Sequence, residues 1–206
     1  MARPRLAEND TETGERILAA AEEAFARHGY AETRLEDVAA AAGVRRPSLL
    51  YHFGSKDALY ANTVRRVFEG LRSALVKAMS SEGTFEERVD ATVGDYVAFL
   101  VAHPNLARIF LREVLDTAGP GRALLESEVA PLLEVVELFV RDGGRGKLAK
   151  NADVRGAVLN VVGGAVLYAV AGDLRPLLWR EGSPASFAAG MQQLFRTMIL
   201  EKRSRR

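Results

Sequence analysis

The chain has 206 residues and no cysteine. That removes disulfides, thiolate metal sites and cysteine nucleophiles together, and it suits a reducing compartment. Histidine is scarce as well: His28, His52 and His103 fall at no metal-ligand spacing, so no metal and no other cofactor is expected. Net charge is nearly absent, with 28 Lys and Arg against 27 Asp and Glu. Any attraction for nucleic acid or anionic lipid must therefore come from a local patch. Long apolar runs are missing too. The most apolar stretch, 157–172, is shorter than a membrane span and is interrupted by Asn160 and Gly163-Gly164. Residues 1–8 lack the apolar segment of a signal peptide. The expected location is cytoplasmic, with no membrane partner.

Enzyme signatures are equally thin. The loop Gly143-Gly-Arg-Gly-Lys147 resembles a phosphate loop at first sight, but Arg141 stands five residues before Gly146 and Leu148 occupies the place of the required Ser or Thr. No Gly-x-Ser-x-Gly elbow occurs. The sequence reads as a non-enzyme, with no catalytic residues assigned.

What is present is helical periodicity. Apolar residues recur at steps of three and four almost throughout, and alternating strand patterns are nearly absent. The fold class is all-α, with about nine helices. An N-terminal three-helix unit over 11–70 precedes a larger helical unit over 71–206, and the fourth helix is shared as the bridge. In the first helix Ile17, Ala21, Ala24, Phe25 and His28 share a face, and Gly29 sits where a left-handed cap belongs. Thr33 and Glu36 form a capping box for a short second helix that Gly43 stops. Pro47 opens a third helix. Ser55 caps a long fourth one, whose buried stripe is Tyr60, Val64, Val67, Leu71 and Leu75 and which runs to about Met79. Thr84 and Glu87 make a second capping box, His103-Pro104 separates the next two helices, and Pro131 predicts a kink in the helix that ends near Arg141. Asn151 or Asp153 caps the apolar helix through Ala171, and Ser183-Pro184 opens the last one. The cationic tail 202–206 reads as a frayed end.

Two short helices joined by a tight turn at Gly43 have the form of a helix-turn-helix. Residues 1–56 carry 8 Lys/Arg against 9 Asp/Glu, which alone argues against DNA. Their distribution argues the other way. From Val38 to Lys56 there is no acidic residue, while Arg45, Arg46 and Lys56 supply three positive charges. A basic patch thus covers the turn and the third helix.

This segment, Gly43-Val-Arg-Arg-Pro-Ser-Leu-Leu-Tyr-His-Phe-Gly-Ser-Lys-Asp-Ala-Leu59, resembles the tetracycline-repressor (TetR) family, most specifically through Tyr51-His52-Phe53-Gly54-Ser55-Lys56. Ile17-Leu18-Ala-Ala-Ala21, Phe25, Gly29-Tyr30 and Thr33 also fall at family spacing, so the resemblance covers roughly residues 13–60. One departure is Leu50, where members commonly carry an aromatic residue.

The resemblance implies a DNA-binding regulator, with Thr33, Arg34, Tyr51, His52 and Lys56 on phosphates and Arg45, Arg46, Pro47 and Ser48 at or near base edges. The division is chemically sound. Arginine can donate two hydrogen bonds to guanine, whereas hydroxyl, imidazole and ammonium groups suit phosphate oxygens. The resemblance further implies a homodimer on a palindromic operator, repression as the output, and a small-molecule effector held in the C-terminal unit. Candidate pocket residues are Tyr96, Phe99, His103, Phe110, Phe139 and Tyr168, with Trp179 as an outlying member. Candidate dimer residues are Gly163, Gly164, Phe187, Met191, Leu194, Phe195 and Met198. Core packing is the competing explanation for each. A helical sensor or scaffold without DNA binding remains the alternative function, with an enzyme behind it.

Overall fold

Side chains at the helix starts set many of the boundaries. In the computed structural model, which describes residues 4–115, 120–180 and 183–200, Ser55, Thr84, Asp153 and Ser183 each accept a hydrogen bond from a backbone N–H in the first turn of the following helix. Thr84 and Glu87 complete a reciprocal capping box. The helices are α1 (Pro4–Glu32), α2 (Leu35–Ala41), α3 (Arg46–Phe53), α4 (Lys56–Met79), α5 (Phe85–Ala102), α6 (Pro104–Leu115), α7 (Gly121–Leu124), α8 (Ala130–Gly143), α9 (Val154–Val170), α10 (Arg175–Trp179) and α11 (Pro184–Ile199). Nine are substantial and two are single turns. The fold is all-α: among the described residues the nearest thing to a strand is an isolated bridge between Leu148 and Leu200. No single helix among them is long and apolar enough to cross a membrane. The tail 202–206 lies outside the described residues.

Several sequence expectations need correction. Thr33 does not cap α2. Its side chain is buried, and its hydroxyl donates to the carbonyls of Gly29 and Ala24, so it ties the end of α1 instead. The cap position belongs to Arg34, which makes no side-chain capping bond. His28 faces solvent rather than the core, because the regular part of α1 ends there: Gly29 breaks it with φ 76°. Val114, four residues after Phe110 and so expected on the buried face of α6, is likewise exposed. The kink expected at Pro131 takes the form of a π-helical turn, Leu125–Val129, just ahead of α8. A proline in the first turn of α8 lacks the N–H that a continuous helix would need, and a wider turn absorbs the mismatch.

The core runs without interruption from α1 into the C-terminal half. Ile17, Ala21 and Phe25 of α1 meet Leu59, Tyr60 and Val64 of α4 in one apolar cluster that also takes in Leu106 and Ile109 of α6. The Tyr60 ring packs edge to face on Phe25 and on Tyr30, with centroids 4.8 Å and 5.2 Å away. A second cluster joins α5, α8, α9 and α11 through Val89, Val140, Val158 and Phe195. In consequence α4 packs on the N-terminal helices at one end and on the C-terminal bundle at the other.

Candidate DNA-binding surface and internal cavity

The turn between α2 and α3 is fixed by backbone geometry. Gly43 takes φ 68°, the left-handed conformation that favours glycine. This lets the Val44 N–H reach the Ala39 carbonyl at 2.9 Å and the Gly43 N–H reach Ala40 at 3.1 Å, so the carbonyls at the end of α2 are satisfied. From there α3 is anchored by a single fully buried residue, Leu49, which leaves most of its circumference outside. Arg45, Arg46 and Pro47 are exposed, Ser48 is half-buried, and Tyr51 is 79% exposed. A tyrosine so bare at the middle of a helix contributes little to packing and is available to a partner.

The remaining candidates sit differently. Arg46 Nε lies 3.0 Å from Glu36 Oε1 on α2, an exposed pair that DNA would have to replace. His52 is tucked under α1 with only 12% of its side chain exposed, its Nε2 3.4 Å from Asp10 Oδ1. The Lys56 ammonium donates to the Ala31 carbonyl at 3.0 Å and rests 4.6 Å from the Tyr30 ring centroid. Tyr30 in turn donates to Asp57 in the first turn of α4, and this hydrogen bond, with burial and the nearby carboxylate charge, pushes the phenol up to about 12. Arg34 is exposed at the head of α2. Thr33 is the most buried of the candidates: its proton is spent on α1, so an outward hydroxyl contact with phosphate is not what this geometry offers.

A cavity of about 90 Å³ lies among α4, α5, α6, α8 and α9. Phe68, Leu71 and Leu75 of α4 form one side, Leu106, Ala107 and Phe110 of α6 another, and Tyr96 and Phe139 close it from α5 and α8. Of the aromatic candidates, Tyr96, Phe110 and Phe139 thus come together on the wall. Phe99, His103 and Tyr168 do not. Phe99 stacks on the exposed His103 at 4.4 Å, and Tyr168 stacks on Phe187 at 4.1 Å with Trp179 edge-on at 5.1 Å, forming an aromatic cluster of its own. Most of the wall is aliphatic and went unnoticed, since a residue beside a cavity has the same periodicity as one in a filled core.

Residues 17–63 match the family described as bacterial regulatory proteins, tetR family. The chain carries a tetR-family domain. The HTH-type transcriptional regulator RutR of Escherichia coli K12 is 34% identical over 126 residues, covering 55% of this chain and 57% of RutR, so the chain spans little more than half of that relative's length. Two solved structures share the fold more widely. A TetR family transcription regulator from Marinobacter aquaeolei VT8 superposes with a TM-score of 0.74 at 19% identity, over 95% of this chain and 100% of that one. FadR from Bacillus subtilis, in complex with stearoyl-CoA, does so with 0.72 at 16% identity, over 88% and 96%. At such identities the likeness is one of fold.

The tetR-family domain is joined to the cavity by α6. While Leu106, Ala107 and Phe110 face the cavity, Arg112 donates to the carbonyls of Ala26 at 3.2 Å and Arg27 at 2.7 Å, and Glu113 accepts from the Tyr60 hydroxyl. Salt bridges reinforce α4: Arg66 reaches Glu15 and Glu22 on α1 at 2.7 and 3.1 Å, and Arg72 reaches the nearly buried Glu128 of the π-helical turn at 3.2 Å. Next to Glu128, Val129 borders the cavity.

The dimer candidates divide into two groups. Phe187 and Phe195 are buried within the chain, Phe195 on the cavity wall, and a Cβ on Gly164 would come within 3.1 Å of Met191 Sδ, so these residues serve packing of α9 against α11. Met191 and Met198 are half-buried. Gly163 and Leu194 face outward, and with them Leu159 and Leu167, which the sequence reading missed. Their signal was the i, i+4, i+8 spacing of Leu159, Gly163 and Leu167 on the most apolar helix.

Proposed function

We propose that the chain is a dimeric transcriptional repressor that binds a palindromic operator through α3 and is released when a small molecule enters the cavity. The observation that carries this reading is the outward face of α3 within a tetR-family domain: Arg45, Arg46 and Tyr51 are exposed while Leu49 is the fully buried anchor of the helix. Arg45 and Arg46 read base edges; Arg34, Tyr51, His52 and Lys56 lie along the phosphates. The second copy packs on the exposed stripe of Leu159, Gly163, Leu167 and Leu194, leaving the DNA-binding unit, 11–70, free at the far end. The site of action is the cytoplasm.

Cavity size supports the coupling. Ligand pockets commonly measure about 300–1,000 Å³, whereas this one holds about 90 Å³. An effector of ordinary size must therefore press its walls apart, and two of those walls are α4 and α6, the helices tied to α1. Displacing them changes the separation of the two α3 copies, which a two-fold dimer on B-DNA needs at about 34–36 Å. Linkage then requires DNA to weaken effector binding by the same factor.

Selection of bound fragments from random DNA with the purified full chain tests the reading. The expected product is a palindrome with half-sites about one helical turn apart. Recovery of no enriched sequence, or of one without two-fold symmetry, overturns it.

A further inference from the structure

We propose that the effector is an uncharged, largely hydrocarbon molecule carrying one oxygen acceptor, and that the Tyr96 hydroxyl is the group that recognises it; this rests on the reading of the cavity as the effector site. The residues bordering the cavity include no charged side chain. Only two carry a hydroxyl, Thr92 and Tyr96. Thr92 has already committed its proton, donating to the Arg88 carbonyl one turn earlier at 2.7 Å. The Tyr96 hydroxyl has no hydrogen-bond partner among the described residues.

Tyr96 is half-buried, and a hydroxyl that no protein group engages can give its proton to a ligand oxygen against this apolar wall. Burial also raises the ionisation of Tyr96 well above the ordinary phenol range, so at neutral pH the group is a donor rather than a phenolate. The ligand atom it favours is therefore a carbonyl, ether or hydroxyl oxygen. An anionic head group fares worse, because it would shed water against a wall with no cation to replace it. A cation close behind the wall is Arg88, whose guanidinium stacks 5.4 Å from the Phe139 ring centroid and donates to the Met79 carbonyl at 3.3 Å. Its Nε is buried without a partner, so the test must ask whether an acid can reach it.

Three one-ring probes of similar shape separate these cases: ethylbenzene, acetophenone and phenylacetate, the last ionised at pH 7.5. Binding to the full chain without DNA is measured by calorimetric titration for the wild type, Y96F and T92V. Acetophenone is expected to bind most tightly, with phenylacetate at least about tenfold weaker. Y96F should lower acetophenone affinity by about threefold to tenfold, the range of one net hydrogen bond, while leaving ethylbenzene within about twofold. T92V should leave the order of the three probes unchanged. Failure of acetophenone to bind, phenylacetate binding as tightly, or equal effects of Y96F on acetophenone and ethylbenzene would each overturn the proposal. Operator binding by the wild-type protein is read separately: its absence would count against the regulator reading, whereas its presence with a probe order unchanged by Y96F would count only against the role of Tyr96.

Discussion

Replacing Arg112 with alanine tests the joint between cavity and DNA-binding unit. The guanidinium holds two carbonyls, Ala26 and Arg27, at the point where α1 loses its regular hydrogen bonding before Gly29. These carbonyls also carry the negative end of the helix dipole, so a cation there is doubly favoured. Because the side chain is exposed, each bond falls at the lower end of the usual scale, about 0.5–1 kcal/mol, and the pair contributes about 1–2 kcal/mol. For a chain of this length each kcal/mol moves the melting temperature by roughly 2–4 °C, so R112A should melt roughly 2–8 °C lower. R112K, with a point charge in place of the planar fork, should lose about half as much. The functional consequence is larger than the thermal one. With α6 unpinned from α1, the operator affinity of the effector-free protein should stay within about twofold, while the loss of affinity on adding effector shrinks by about fivefold, a modest share of a typical allosteric coupling. Calorimetric melting and fluorescence anisotropy on the selected operator, with and without acetophenone as probe, supply both readouts. An unchanged melting point together with an undiminished effector response would refute the reasoning.

Three further outcomes are expected. K56A should weaken binding similarly on all DNA sequences and lower the salt slope by about one, whereas R46A should cost about 1–3 kcal/mol and relax base preference at one position, both read by anisotropy over a salt series. Glutamate at Leu159 or Leu167 places a charge on the outward stripe of α9, and sedimentation should show monomer where the wild type should show a dimer, with the helical circular dichroism retained. Tyr30 holds its proton to about 12 in the folded chain against 10.0 when free, so the stability it contributes is complete below pH 10 and is lost as pH rises through 12. In Y30F that part of the alkaline loss should vanish from melts taken across this window.

Local chemistry was legible in the sequence, and what depended on distant partners was not. Ser55, Thr84 and Ser183 cap their helices as read, because an N-cap involves only the next three residues. Thr33 has the same pattern and behaves otherwise: its hydroxyl turns back to the carbonyls of Gly29, four residues earlier, and Ala24, a competing bond that the capping pattern does not distinguish. The turn before α3 and the start of that helix followed from Gly43 and Pro47, both local signals. The cavity did not. Its wall is built from Leu, Val and Phe at ordinary helical spacing, and whether such faces meet tightly or leave a gap is decided by the crossing of five helices. Phe99, His103 and Tyr168 went astray on the same ground, each being at home in a separate aromatic contact.

The shared helix α4 has a mechanical consequence. Its 24 residues form a rod of about 36 Å at 1.5 Å per residue. A tilt of about 5° around the Met79 end would carry the Lys56 end through about 3 Å by that geometry. In the proposed dimer, two protomers swinging in opposite senses would change their spacing by up to about 6 Å, nearly two base-pair rises of about 3.4 Å. Leverage of this kind turns the volume of a few methyl groups into a mismatch with the pitch of the double helix.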